Sequence, residues 1–174
     1  MPSVLWTGKL SLSMRLVVNT SNILAWFGGN ARDSDSMKQR VKLGYDGAFT
    51  DHITRYDELG LEFQIRAGKA QLEGLDISGK EILDVGAGTG ALSFLMLENG
   101  AAKVTCGDIS EYMLSQCRKK AADKGYHEDR IDFRLLDAEL LPFKDNSFDI
   151  VVTGMTLGLL PDQRQAIKEM ARVV

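Results

Sequence analysis

Apolar residues recur along the second half of the chain in two rhythms, and each change of rhythm marks an element. Ile82, Leu83 and Val85 make Glu81–Val85 a short run able to pack on both faces, as a buried parallel strand requires. Leu92, Leu95 and Met96 then fall at helical spacing, and Asn99-Gly100 supplies a C-terminal cap. Lys103–Asp108 predicts a second strand that ends on an acid. The next helix begins after Ser110, turns Met113, Leu114, Cys117 and Ala121 inward, and stops at Gly125. Arg130–Leu136 alternates through Ile131, Phe133 and Leu135, and Ser147–Thr153 supplies a fourth strand through Phe148, Ile150 and Val152. Asp162 with Gln165 three residues on signals a closing helix that carries Ala166, Ile167 and Met170 on one face. Strands and helices alternating in this way argue a parallel sheet with helices on both sides.

The first half is less regular. Leu61, Ile65, Gly68 and Leu72 share one face of a predicted helix that stops at Gly74 and covers the sheet. Upstream lie two Tyr-Asp pairs, Tyr45-Asp46 and Tyr56-Asp57, with His52 between them, suited to a packed cap or to a lid over a ligand. Leu16–Val18 and Ile23–Phe27 are apolar, but Asn19, Thr20, Ser21 and Asn22 interrupt them. They therefore fit neither a signal peptide's apolar core nor a membrane span of about 20 residues. The expected organisation is a leader over 1–36, a helical cap over 37–75 and a nucleotide-type half-domain over 76–174.

Charge and cysteine content narrow the function. The formal net charge is −3 and the sequence pI about 5.4, so no basic field exists to hold a nucleic acid. Cys106 and Cys117 lack metal-ligand spacing and read as buried, reduced thiols of a cytoplasmic protein. No metal site and no stable membrane insertion are expected.

The chemistry gathers where the strands end. Gly86, Gly88 and Gly90 follow the first strand at alternate positions, which permits positive φ and lets a ligand approach the backbone at a helix start. Asp84, Asp108 and Asp137 fall at or near the carboxyl ends of successive strands, the edge where open α/β sheets bind ligands. Asp108 suits the vicinal hydroxyls of a ribose, and Asp84 an ammonium or sulfonium group. Asp137 with the backbone N–H of Ala138 suits the edge of adenine. The dinucleotide fingerprint G-x-G-x-x-G is not met, since the spacing here is G-x-G-x-G with an acid two residues before it. A Walker loop is absent as well. The residues ask for a ligand with a ribose, an adenine and a cationic tail.

ILDVGAGTG at 82–90, GDIS at 107–110 followed by Met113, DAELLPFKDNSFDIV at 137–151 and the closing DQRQAIKEMARVV together carry a resemblance. The chain resembles a class I S-adenosylmethionine-dependent methyltransferase, of the small-molecule branch that includes quinone-biosynthesis C-methyltransferases. The resemblance covers about residues 56–174. It implies a Rossmann-like, doubly wound parallel sheet and S-adenosylmethionine as cofactor. It also implies that the turn of Gly86, Ala87, Gly88 and Gly90 carries the methionine part, Asp108 the ribose and Asp137-Ala138 the adenine. Met113 is implied to pack on the adenine ring and Tyr56 to close over the cofactor. Ile109 and Thr153 complete the implied cofactor set, and no catalytic residue is assigned.

Two features depart from the family pattern. Ala87 stands where many relatives have cysteine, a mild change because the backbone does the binding. The family continues past the position of Val174 into strands five to seven, so this chain is expected to form an incomplete sheet of order 3-2-1-4. Ile150–Val152 would then be an exposed apolar edge, open to self-association unless the amino-terminal segment covers it. The expected function is methyl transfer to a small-molecule acceptor, and the alternative is a truncated, non-catalytic module that binds cofactor or a partner.

Overall fold

A computed structural model describes residues 15–19, 34–48 and 50–174; the side chains of 15–19, 47–48, 50–56 and 58–59 lie outside the described set. The elements are β1 (Arg15–Asn19), α1 (Ser34–Leu43), a π-helical turn (Gly44–Ala48), α2 (Thr50–Leu72), β2 (Glu81–Val85) and α3 (Ala91–Glu98). They continue as β3 (Lys103–Asp108), α4 (Glu111–Asp123), β4 (Ile131–Leu135), β5 (Ile150–Gly154), a 3-10 turn (Leu157–Leu159) and α5 (Gln163–Val173). All strand pairs are parallel, in the order β1-β5-β2-β3-β4. Within it, β4-β3-β2-β5 is the expected 3-2-1-4 arrangement.

Period-two alternation in the strands divides the core into two layers. Ile82, Val104, Cys106, Ile150 and Val152 face α3 and α4, meeting Phe94, Met96, Leu114 and Cys117. Leu83, Val85 and Val151 face the other way, onto Ala166, Met170 and Val173 of α5. Burying each large apolar side chain contributes about 1.5–3 kcal/mol, which is why both helical layers hold to the sheet. The inward positions Met113, Leu114, Cys117 and Ala121 of α4 are buried as their spacing predicts. So are Ala166 and Met170 of α5, whereas Ile167 is 38% exposed.

Local signals fix the ends of the helices. The Ser110 hydroxyl accepts from the Met113 amide, and the Asp162 carboxylate from the Gln165 amide, each closing an N-terminus. Arg172 on α5 spans the segment before β5. Its guanidinium donates to the carbonyls of Leu141 and Phe143, and to Asp145 and Glu169, while Glu169 accepts from the Leu141 amide. Those bonds hold Glu169 below its ordinary carboxylate range, with the Arg172 guanidinium as the chief cause. β5 itself is shorter than expected, because Ser147 and Phe148 donate their amides to the Val173 carbonyl instead of joining the ladder.

The fourth strand, expected to be an open edge unless the amino-terminal segment covers it, is covered by that segment. β1 pairs with it in parallel along its whole length, Arg15 opposite Ile150 through Asn19 opposite Gly154. An unsatisfied row of backbone groups can be completed by any extended segment of matching length, and Arg15–Asn19 from the expected leader does so here. Self-association through an open fourth strand therefore has no open edge to use in this structure.

The face of α2 also differs from expectation. Leu61 is 38% exposed and Ile65 and Leu72 only half-buried, while Gly68 and Gln71 are buried. Apolar spacing identifies only part of the inner face: Gly68 lies against Leu92 and Leu95 and Leu72 packs on the core, whereas Ala67 and Gln71 face a cavity and Leu61 faces outward.

If β1 seals the sheet, a chain lacking residues 1–19 should sediment with a concentration-dependent coefficient and unfold at a lower temperature than the full chain. Indistinguishable behaviour of the two would show that β5 needs no cover.

Candidate active site

The strand β2 enters a turn whose glycines all take positive φ: 75° at Gly86, 56° at Gly88 and 91° at Gly90. Each does different work. A Cβ on Gly86 would collide with the Thr156 side chain, and a Cβ on Gly90 with Cys117 and Phe94, whereas Gly88 faces open space. Gly86 thus lets the ends of β2 and β5 converge, Gly90 lets α3 settle against α4, and Gly88 leaves bare backbone towards a cavity. The cavity runs over the carboxyl ends of β2, β3 and β5 and is roofed by α1, the π-helical turn and α2.

Asp84, Asp108 and Asp137 all line it, as do Gly86, Ala87, Gly88, Ile109, Met113 and Ala138. The expected site is therefore brought together, with three exceptions. Gly90 is not among the lining residues and serves packing. Thr153 is fully buried and donates its hydroxyl to the Val85 carbonyl at 2.8 Å, so its successors Gly154, Met155 and Thr156 form the wall instead. Tyr56 lies within α2 and its side chain, like that of His52, is outside the described residues; Tyr45, of the other Tyr-Asp pair, lines the cavity.

Each acid is held in its own way. Asp108 accepts the Gly88 amide on one oxygen and the Ser110 amide on the other, both at 2.9 Å, so the β3 acid fixes the glycine turn and the start of α4 together. Burial raises its pKa above the usual carboxylate value against the effect of those amides. A carboxylate offers about four lone-pair sites, so the amides do not exhaust its capacity to accept from a ligand. Asp84 is 1% exposed and accepts the Ser93 hydroxyl at 2.6 Å. Burial pushes it up to about 7; the Ser93 bond opposes this and the negative charge of Asp108 adds to it. Behind Ser93 stand the two thiols, Cys106 donating to the Ser93 hydroxyl at 3.1 Å. The Cys106 thiol is pushed up by hydrogen bonding with Cys117 and by burial, which makes it a packing group and not a nucleophile.

Asp137 accepts the Glu139 amide on one oxygen, at 2.9 Å, and Lys38 Nζ on the other, at 2.7 Å. Lys38 also reaches Glu139 at 2.7 Å. Burial works against its charge, but the bonds to both carboxylates outweigh it and raise the pKa. Nothing in the sequence marks this lysine of α1, because a lone lysine in a charged helix reads as solvated.

The acids of the two Tyr-Asp pairs anchor the roof. Asp46 receives the Ser110 hydroxyl and the Tyr112 amide. Asp57 receives the Thr89 hydroxyl at 2.7 Å and pairs with Lys120, which ties α2 to the glycine turn and to α4. Deeper in, Gln71 donates to the Thr153 carbonyl at 3.1 Å. Met155, on the wall beside it, is a non-glycine residue at φ 57°, a strained position of the kind that clusters at functional sites.

A family described as a methyltransferase domain matches residues 83–174. The ubiquinone/menaquinone biosynthesis C-methyltransferase UbiE of Hahella chejuensis is 41% identical over 99 residues, which cover 56% of this chain and 39% of that protein. Aklanonic acid methyltransferase DauC of Streptomyces sp. is 32% identical over 146 residues, covering 82% and 63% respectively. The chain thus spans less than two thirds of either relative. Among solved structures, the [4+2]-cyclase SpnF superposes with a TM-score of 0.59 at 30% identity, over 63% of this chain and 40% of that one.

Asp84 generates a test that needs no ligand. Its carboxyl binds a proton more tightly in the folded chain than in the unfolded one, so its contribution to stability is fully present below about pH 4. It is lost as pH rises towards 7, with a slope of at most about 1.4 kcal/mol per pH unit. Denaturant titrations of the wild type and Asp84→Asn should show the wild type losing ground to the variant across that window. A difference independent of pH would mean that Asp84 titrates normally.

Proposed function

The chain belongs to the methyltransferase-domain family, and from that premise we propose that it binds S-adenosylmethionine and transfers the methyl group to a small-molecule acceptor. The observation that carries the reading is the meeting of Asp84, Asp108 and Asp137 with the bare glycine turn in one cavity. That donor set suits the cofactor and repels a polyphosphate. The cavity's one lysine among the described lining residues, Lys38, is already shared between Asp137 and Glu139, and no phosphate cradle forms.

The residues fit the cofactor part by part. Asp108 keeps acceptor capacity for the ribose after its backbone amides are counted. Asp137 and the Ala138 amide stand at the base end, and Ile109, Met113 and Leu136 supply apolar contact there. Gly88 leaves the turn open where the amino-acid part would lie, with Asp84 beneath it for a cationic group. When bound, the cofactor supplies a sulfonium methyl that is already electrophilic. What the chain must add is alignment and the exclusion of water, and the roof of α1, α2 and Tyr45 does the second. The wall Gly154–Thr156 with Leu159, Leu160 and Pro161 borders the space left for an acceptor.

A second reading, cofactor binding without methyl transfer, is favoured by one observation. SpnF, a [4+2]-cyclase, shares this architecture at 30% identity, so the fold alone does not dictate the reaction. S-adenosylhomocysteine formed with a candidate quinone or phenol acceptor supports transfer; tight cofactor binding with no product from any acceptor supports the second reading. For location we infer the cytoplasm: Cys106 and Cys117 are free thiols, and no helix among the described residues is long and apolar enough to cross a membrane.

Calorimetric titration should show S-adenosylmethionine binding and NAD not binding, and the reverse preference would end the proposal. In the same assay Asp108→Ala should weaken binding by about 1.5–3 kcal/mol, the usual cost of losing hydrogen bonds to a charged group. An unchanged affinity in a folded variant would remove Asp108 from the ribose site.

A further inference from the structure

Lys38 closes the cavity from the roof at its Asp137 end. It shares one face of α1 with Val41, one turn on, and both line the cavity. The half-buried Asp137 carboxylate takes the Glu139 amide on Oδ1 at 2.9 Å and the Lys38 ammonium on Oδ2 at 2.7 Å. Glu139, which is buried, takes the Asp162 amide on Oε1 at 2.9 Å and the same ammonium on Oε2 at 2.7 Å. Each carboxylate oxygen of the two acids thus carries a donor, and α1 is tied to both through one nitrogen.

The other ties of the roof use different groups. Asp46 holds the π-helical turn to the Ser110 hydroxyl and the Tyr112 amide, and Asp57 holds α2 to Thr89 and Lys120. Those bonds go to none of Asp84, Asp108 and Asp137. Lys38 does bond to a cavity acid, and the oxygen it takes is the one that the loop's own amide leaves. The ammonium stands at hydrogen-bond distance from that oxygen, in the position from which a ligand's amino group would donate. Exchanging one donor for the other costs little. A part-exposed ion pair contributes little net stability, and Lys38 keeps a partner, because Glu139 is within the same reach.

We propose that Lys38 is a latch displaced by the cofactor's base: its ammonium holds Asp137 in the free chain, yields that oxygen to the adenine amino group, and stays on Glu139 while α1 opens. The inference rests on the reading of the cavity as an S-adenosylmethionine site and adds a residue that sets how fast the cofactor enters. Glu139 is the resting seat of the lysine, so the two residues act in opposite senses. Without Lys38 there is no latch. Without the charge of Glu139 the lysine has Asp137 alone to hold, and the latch tightens.

Binding kinetics of S-adenosylhomocysteine, measured by surface plasmon resonance on the full chain at low and high salt, test this. That ligand carries no net charge at neutral pH, so a change in the charge of the site acts little on its approach. Lys38→Met, which keeps an unbranched stem, should raise the association rate about 2- to 5-fold, the range of a part-exposed ion pair. Glu139→Gln, which keeps an oxygen for the Asp162 amide, should lower it by a similar factor. Salt should speed association to the wild type, by screening the pair, and leave Lys38→Met unchanged. A lysine that only props the roof predicts that both variants shift the association rate in the same direction, or leave it alone and speed dissociation; either result overturns the latch. A slower association in Lys38→Met would make the lysine a direct ligand contact and overturn it as well. Failure of the wild type to bind S-adenosylhomocysteine would bring down the reading of the cavity, whereas a wild type that binds, with none of these shifts, loses the latch alone.

Discussion

A strand that runs straight into a helix needs backbone angles that few residues tolerate, and here the whole site depends on meeting that need. Gly86, Gly88 and Gly90 all sit at positive φ, and at Gly86 and Gly90 there is no room for even a methyl group. With side chains at those positions the ends of β2 and β5 could not converge, nor could α3 lie against α4. The acid of the neighbouring strand completes the arrangement. Asp108 receives the Gly88 amide and the Ser110 amide, so one part-buried carboxylate holds the turn in the shape that exposes its backbone.

From that turn outward, the site is built from groups whose ordinary preferences are opposed. Asp84 is buried without a cation and is held near neutrality, and Met155 takes a backbone conformation that side chains avoid. Gln64 keeps an unpaired donor. The rest of the domain compensates through two packed layers of apolar side chains and the Arg172 network. Local cost concentrated at a cavity and stability supplied elsewhere is the pattern expected of a site shaped for a ligand.

Much of this architecture is legible in the amino-acid sequence. The strands β2 to β5, the caps at Ser110 and Asp162 and the inward face of α4 follow from periodicity and turn chemistry, because in those stretches burial against a sheet decides which residues are apolar. The three acids are legible for a different reason, since a carboxylate at the end of a buried strand is costly unless a partner or a ligand uses it. What escapes is the roof. The face of α2 is partly misjudged because it turns Gln64 and Gln71 towards a cavity, and hydrophobic spacing cannot report polar side chains on an inner face. Lys38 escapes because its partner lies 99 residues away along the chain, and although both Tyr-Asp pairs stand out, the partners of Asp46 and Asp57, 64 and 32 residues away, are not legible. β1 escapes because five residues amid an interrupted apolar stretch carry no sign of which strand they will complete. Thr153, by contrast, is placed in the site by resemblance and lies behind it, one residue too early on the strand.

The central claim is that the carboxylates of Asp108 and Asp137 grasp the two ends of one nucleoside across the glycine turn. A crystal structure of the chain with S-adenosylhomocysteine tests it most directly. The account predicts both ribose hydroxyls on the Asp108 carboxylate, the adenine against Met113 with its edge on Asp137 and Ala138, and the amino-acid part along Gly86–Gly88. A nucleoside bound with its ribose away from Asp108, or a ligand lodged outside this cavity, would contradict it.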